Sequence, residues 1–563
     1  MIGSVSPGLV LILGALLVPF LPGKLRYAYM LALPVLAGLQ LYGLEQGNFA
    51  QTEIFGYTLT LVRVDKLSVV FGTIFLIAAF LNVIYGLHQR DAMQEVAALV
   101  YSGAAISAVF VGDLISLFVF WELTAISSVF LIWASRSERA IRAGLRYLII
   151  QVGSGVILLA GVTLYAQQTG SIAFGHLGLT NLATGLILIA FGIKAAFPFL
   201  HNWLQDAYPE ATVTGTVVLS AFTTKLAIYA LVRGYPGTEI LIYIGAIMTV
   251  FPVFFAVIEN DLRRVLAYSL NNQVGFMVVG IGIGTPLALN GAVSHAFVHI
   301  IYKSLLFMSM GAVLHRTGTI KGSELGGLFK SMPLTTLFCI VGAASISAFP
   351  LFSGFVTKSL ILTATAEQGY VIAWLVLLFA SAGVFHHSGI KIPYFAFFAH
   401  DSGLRCREAP LNMLIAMGIA AGLCIFFGVY PDPLYALLPY EADYAPYTAS
   451  HVLSQLQLLL FSALAFALLM RTGLYPPELR ATNLDSDWLY RKAAPALVRR
   501  VMALGGEVRD GAVAHAKRWL EATFLQIHRH HGPSGILART LSTGSTVLWV
   551  VVLLGLTLLM AYL

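Results

Sequence analysis

Long apolar runs, broken by Gly, Pro and charged residues, recur along almost the whole chain and predict helices that cross a membrane. A helix needs roughly 20 apolar residues to span the hydrocarbon, and Leu67–Tyr85, Val213–Val232 and Val547–Leu563 are runs of that kind. The windows predict about sixteen helices, at 7–22, 27–44, 66–86, 94–110, 113–134, 144–166, 181–203, 212–233, 238–258, 265–283, 287–313, 333–365, 370–390, 411–429, 452–471 and 542–563. The twelfth is too long for one straight span. Between the last two lie about 70 polar residues, 472–541, in which Asp487–His530 alternates apolar positions such as Trp488, Leu497 and Val501 with basic ones. That spacing predicts an amphipathic helix lying along the membrane surface or on neighbouring helices, with a cytoplasmic hairpin as the plainer reading.

Lys and Arg in the short loops set the orientation. Loops after odd-numbered helices and the helix ends beside them hold fifteen, among them Lys24, Arg90, Arg136, Arg263 and Lys330, whereas loops after even-numbered helices hold Arg63, Lys66 and Arg233. The odd loops are therefore expected in the cytoplasm and the N-terminus outside, in a bacterial inner membrane. The first apolar stretch has no basic region before it and no small-residue cleavage site, so it is expected to be the first span.

Composition narrows the class further. Of 563 residues 58% are hydrophobic and 10% charged, where a soluble domain carries about a quarter charged. The three cysteines, Cys339, Cys406 and Cys424, are far apart, which argues against a cluster, zinc or disulfide framework. No Walker loop, dinucleotide fingerprint or haem-attachment motif occurs. The chain is expected to have no cofactor, no metal and no catalytic site of its own.

Against this apolar background seven ionisable residues stand near mid-span: Glu122, Lys194, Lys225, His295, His299, Lys303 and Lys358. Each costs roughly 2.5–3.5 kcal/mol on insertion scales. Any one alone could be a snorkelling or helix-end residue, but Lys194 and Lys225 have apolar turns on both sides. His295, His299 and Lys303 are four residues apart and share one helix face. Histidine titrates near neutral pH, and desolvation brings a lysine toward the same range, so the stack is a segment of a proton relay. Two histidines at i, i+4 are also compatible with a haem or metal, although no carboxylate or Cys completes such a site. His386 and His387, with Lys391, form a further set near the end of helix thirteen, read as an accessory or exit-side element or as helix-end polar residues.

Prolines supply a second signal. Pro198 follows Lys194, and Pro350 precedes Lys358. Each removes an amide donor and frees polar backbone within the membrane. Paired interruptions point to an inverted-repeat transporter. The expected fold is an all-α polytopic membrane protein of about fourteen core helices. It is divided into N-terminal helices (1–93), a first five-helix repeat (94–233), a second (238–395), helices fourteen and fifteen (411–471), the lateral segment (472–541) and a final span (542–563). Five helices per repeat is an odd number, so the two repeats should be inverted in the membrane.

The same stretches resemble a known family, the proton-conducting antiporter-like subunits shared by Mrp-type cation/proton antiporters and respiratory complex I. The matching strings are VDKLSVVF at Asp65, GDLISLFVFWELTAISS at Glu122, KAAFPFLHNWLQDAYPEA from Lys194, TTKLAIYALVR at Lys225, DLRRVLAYSLNNQVGFMVVGIG from Asp261, SHAFVHIIYKSLLFMSMG from His295 and AFPLFSGFVTKSLIL at Lys358. The resemblance implies that Glu122 and Lys194 form a coupled pair, that Lys225, His295, His299 and Lys303 continue the relay, and that Lys358 is its exit group. Gln205, Tyr208, Thr212 and Arg263 depart from the family's usual residues. The resemblance also implies membrane partner subunits, clasped by the lateral helix and final span, with no nucleic acid. The function expected is proton translocation, most simply antiport against Na⁺ or K⁺. The alternatives are a redox-driven module of a respiratory or hydrogenase complex, an energising subunit for inorganic-carbon uptake, and, from another class, a haem-binding electron carrier.

Overall fold

A computed structural model describes residues 5–54, 56–479, 481 and 483–563. They form two units, Met1–Asp485 and Ser486–Leu563. Twelve helices among the described residues are long and apolar enough to cross a membrane, with two shorter apolar ones beside breaks.

The first unit opens with α1 (Pro7–Ala15), shorter than the predicted span and followed by a 3-10 turn at Val18–Phe20, then α2 (Gly23–Tyr42). The stretch before helix three, expected as a loop, is an antiparallel hairpin of β1 (Gly47–Ile54) and β2 (Tyr57–Val64). It is followed by α3 (Lys66–Gly86), α4 (Ala92–Phe110), α5 (Leu114–Trp133), α6 (Glu138–Thr169), α7 (Leu182–Ala195), α8 (Asn202–Ala207) and α9 (Val213–Gly234). The second half contains α10 (Ile240–Ile258), α11 (Leu262–Ile283), α12 (Pro286–Thr317), α13 (Pro333–Ile346), α14 (Ser353–Glu367) and α15 (Val371–Val384). Predicted helix thirteen does not stop at 390: a π-helical turn (Phe385–Ile390), α16 (Lys391–Pro393) and a second π turn carry it to Phe398. α17 (Leu411–Val429), α18 (Asp432–Ala436) and α19 (Ala449–Thr472) complete the unit.

The same series of elements occurs twice with opposite sense. α5 and α11 each start on an aspartate, Asp113 and Asp261, whose carboxylate accepts the first-turn amides as an N-cap does. Each next helix is 32 residues long and ends on a left-handed glycine, Gly170 (φ 68°) and Gly318 (φ 75°). The chain then bridges back to the aspartate, Ala173 to Asp113 and Lys321 to Asp261. A broken helix follows in both halves. Asp113 also accepts from the amide of Thr60 in the hairpin (2.8 Å), whereas Asp261 sits beside Arg264 at the other end. One copy is upside down.

Ion pairs mark the two ends. Loops after odd-numbered predicted helices are stitched to one another by Arg136–Asp91 (3.0 Å), Arg139–Glu210 (2.6 Å), Arg146–Asp206 (2.6 Å) and Lys330–Asp401 (3.0 Å). At the opposite end Asp65 lies between Arg63 (3.8 Å) and Arg233 (2.8 Å). The charge asymmetry read along the chain is thus a separation in space.

The second unit holds a π turn (Leu489–Ala493), α20 (Ala494–His531) and α21 (Thr543–Tyr562). At 38 residues and 1.5 Å per residue, α20 is about 57 Å long, nearly twice the hydrocarbon thickness.

Candidate functional site

The two helix breaks are built alike. α7 stops at Ala195, and the next residues, Ala196-Phe197-Pro198-Phe199, place Ala196 (φ 62°) and Phe199 (φ 67°) in the left-handed region. α13 stops at Ile346, and Ala348-Phe349-Pro350-Leu351 places Ala348 (φ 56°) and Leu351 (φ 74°) there. The proline removes the donor that would continue the helix, and two residues with side chains take a conformation that disfavours them by about 1–2 kcal/mol each. The shared Ala-Phe-Pro string is a repeat signal that the hydropathy windows miss.

Lys194 is in the last turn of α7, fully buried. Its ammonium donates to the carbonyl of Trp121 (2.6 Å) and to Thr124 Oγ1 (2.7 Å) on α5, and sits 4.5 Å from the Trp121 ring centroid. Glu122, the next residue on α5, is half-buried at the side of the bundle, where the sequence predicts a charge buried at mid-membrane depth. Its Oε1 is buried without a protein hydrogen bond and within electrostatic reach of Lys194. The carboxylate lies against Gly155 of α6, where a Cβ would fall on it. Nothing in the sequence pattern singles Gly155 out.

Lys225, at the centre of α9, is fully buried and donates to the carbonyl of Ser220 (2.7 Å). Among the described residues no hydrogen bond joins it to Lys194. Thr224 Oγ1 beside it and the Gln151 amide, one turn before Gly155, are buried polar groups without protein partners.

On α12 the predicted face is present. His295, His299 and Lys303 are fully buried, and Lys225 interacts electrostatically with all three. His295 Nδ1 meets Thr357 Oγ1 (3.0 Å) and its Nε2 meets Gln273 Oε1 (3.2 Å). Both nitrogens are engaged by side chains, so the i, i+4 pair does not present two free nitrogens to one haem or metal. His299 stacks on His295 with centroids 6.1 Å apart, and neither of its nitrogens has a protein partner. Lys303 donates to Ser269 Oγ (2.8 Å). Lys358, on α14 just past the second break, donates to the carbonyl of Ile346 at the end of α13 (3.0 Å) and faces the Phe276 ring (5.0 Å). The last carbonyls of a helix carry partial negative charge, which suits a cation there.

The accessory set is not a helix end. His387 and Lys391 are fully buried and His386 partly so. Hydrogen bonds attach His387 to Lys303, through Ser388 and Ser269. The sequence reading also misses the segment after α19. There Asp485 accepts from Tyr268 OH (2.8 Å) and Asn202 and meets His201 Nε2 (3.2 Å), and Glu478 pairs with Lys391 (3.1 Å). Nearby, burial pushes the Glu259 carboxyl up, with the Arg264 charge opposing it.

Residues 111–385 match the family described as NADH:quinone oxidoreductase/Mrp antiporter, transmembrane. The chain is 31% identical over 358 residues to a Na(+)/H(+) antiporter subunit of Alkalihalophilus pseudofirmus, covering 59% of this chain and 71% of that one. It is 27% identical over 425 residues to hydrogenase-4 component B of Escherichia coli, covering 65% of this chain and 62% of the other. Its fold matches a chain in the structure of the membrane-bound sulfane sulfur reductase, an archaeal respiratory membrane complex, with TM-score 0.70 and 24% identity over 82% of this chain and 99% of that one. The repeated elements, the two Ala-Phe-Pro breaks and these matches lead to one assignment: the chain belongs to the NADH:quinone oxidoreductase/Mrp antiporter family of membrane subunits.

Proposed function

We propose that this chain is a proton-translocating subunit of a hetero-oligomeric membrane complex that exchanges protons for Na⁺ or K⁺, and that it performs no catalysis of its own. The carrying observation is the row of titratable groups that runs from the half-buried Glu122 to the buried Lys194, past Lys225, to His295, His299, Lys303 and Lys358. In this reading the basic end of the bundle faces the cytoplasm of a bacterial inner membrane and the N-terminus lies outside. Glu122 and Lys194 hold or release a proton according to each other's charge. The proton passes to Lys225 and the histidine stack, and Lys358 delivers it toward the Asp65–Arg233 end. Glu122 at the side of the bundle suits a site whose charge state also senses a neighbouring subunit.

A relative named as an antiporter component supports exchange. A hydrogenase component among the relatives favours a second reading, in which the same row is driven by redox chemistry elsewhere in the complex. Dye-monitored ΔpH in vesicles carrying the complex separates them. Antiport predicts proton movement on adding Na⁺ or K⁺, and the redox reading predicts it only when an electron donor is oxidised. In either case Glu122→Gln and Lys194→Ala should abolish proton movement with the protein still in the membrane. Full movement in both variants would sink the relay.

A further inference from the structure

One buried group of titratable side chains lies off the row just described, where the π-helical turn after α15 meets α11. There Ser388 Oγ donates to Ser269 Oγ (2.8 Å), the oxygen that also accepts from Lys303 (2.8 Å), and His387 Nδ1 lies 2.9 Å from Ser388 Oγ. All four side chains are buried. His387 Nε2 is buried and has no protein partner. Four residues on, the Lys391 ammonium donates to the carbonyls of Ala256 (3.2 Å), Val257 (2.6 Å) and Glu259 (2.7 Å) at the basic end of α10 and pairs with Glu478.

Local structure accounts for the placement. A π turn, Phe385–Ile390, adds a residue to the helix, and such bulges frequently mark functional sites. Gly389 lets it approach the second break closely, because a Cβ there would press on Ser347 Oγ and the Phe385 ring. Glu478 brings a carboxylate to the same end. Burial pushes its carboxyl up, while the charge of Lys391 pulls the other way.

We propose that the second half of the molecule has its own proton entrance at the basic end, running from the Glu478–Lys391 pair through His387, Ser388 and Ser269 to Lys303. The proposal rests on the relay reading above and adds a branch to it. A proton taken up at His387 Nε2 allows the Nδ1 proton to move to Ser388 Oγ. The Ser388 proton then moves to Ser269, and that of Ser269 to a neutral Lys303 amine. One proton enters, one arrives, and both serines keep a hydroxyl. Each half of the inverted pair then has its own way in, rather than the second being fed only through Lys225.

The test compares Ser388→Ala, His387→Gln and Ser388→Thr with Glu122→Gln, by initial proton flux in vesicles carrying the whole complex at matched protein amounts. The entrance predicts about a tenfold or larger loss in Ser388→Ala and in His387→Gln, with at least partial recovery in Ser388→Thr, which restores a hydroxyl. Wild-type flux in both Ser388→Ala and His387→Gln, with Glu122→Gln inactive, overturns the entrance and leaves the main row standing. Wild-type flux in Glu122→Gln overturns the row itself. Should Ser388→Ala not accumulate, His387→Gln carries the test alone.

Discussion

Holding an ammonium at mid-membrane depth costs roughly 2.5–3.5 kcal/mol on insertion scales, and each lysine of the row recovers part of that from neutral acceptors. Lys194 uses a carbonyl, a hydroxyl and an indole face, Lys225 a carbonyl, Lys303 a hydroxyl, and Lys358 a carbonyl and a phenyl face. Neutral partners hold the charge without locking it into a fixed ion pair, which suits the proposed proton exchange. Glu122 is the carboxylate of the row, and its position depends on Gly155. Gly155→Ala should displace it and lower proton flux about tenfold to a hundredfold, the range that misplacement of a reacting group by an ångström produces. Gly153→Ala, on the same helix with nothing near its added Cβ, should leave flux unchanged. Equal flux in the two variants would remove Gly155 from the account. The charged members were legible in the sequence because a lone Lys in an apolar run has no cheap explanation. Gly155, Ser269 and Ser388 were not, since small residues and hydroxyls sit unremarked in apolar helices, where a hydroxyl can satisfy itself on its own backbone.

Among the elements, the breaks shape the site most. Pro198 and Pro350 announced them, but which residues turn left-handed was invisible until Ala196 and Phe199 could be set beside Ala348 and Leu351. Ala196→Gly should leave thermal stability in detergent unchanged or slightly higher, since glycine takes that conformation without a Cβ penalty. Ala196→Val should cost about 1–2 kcal/mol or more and lower the Tm. A Tm for the valine variant equal to wild type would mean that the left-handed turn is not required. The hairpin at 47–64 escaped the hydropathy reading for a different reason: two eight-residue strands are shorter than the windows that find spans. Its period-two pattern shows only in β2, where Thr60, Val62 and Val64 turn inward.

For the whole molecule, loop charges and the count of five helices per repeat predict an orientation and inverted halves, and the ion pairs show that the two sets of charged loops gather at opposite ends. Asp65, ahead of α3, ties the hairpin to α9 at the end opposite the basic loops. Burial pushes its carboxyl up, but the hydrogen bonds and charge of Arg233 outweigh that and leave it below the usual carboxylate range. A group depressed in the folded state contributes stability above its unfolded pKa, and that stability is lost as pH falls through the folded one. Asp65→Asn should therefore cost about 1–2 kcal/mol at pH 7, allowing for a carboxylate that is partly solvent-screened. The Tm gap to wild type should narrow as pH drops below the ordinary value of 3.8. A gap independent of pH would argue that the pair is not what holds that end. The central claim, that protons cross along the buried row, is most exposed at Lys225, the member of the row between the Glu122–Lys194 pair and the histidine stack. The direct measurement is initial proton flux in vesicles carrying the complex with Lys225→Met, which keeps the length of the side chain and removes its charge. The row predicts that flux falls to a small remnant, because the two halves turn over in one coupled cycle, with the complex still assembled. Flux equal to wild type would contradict it.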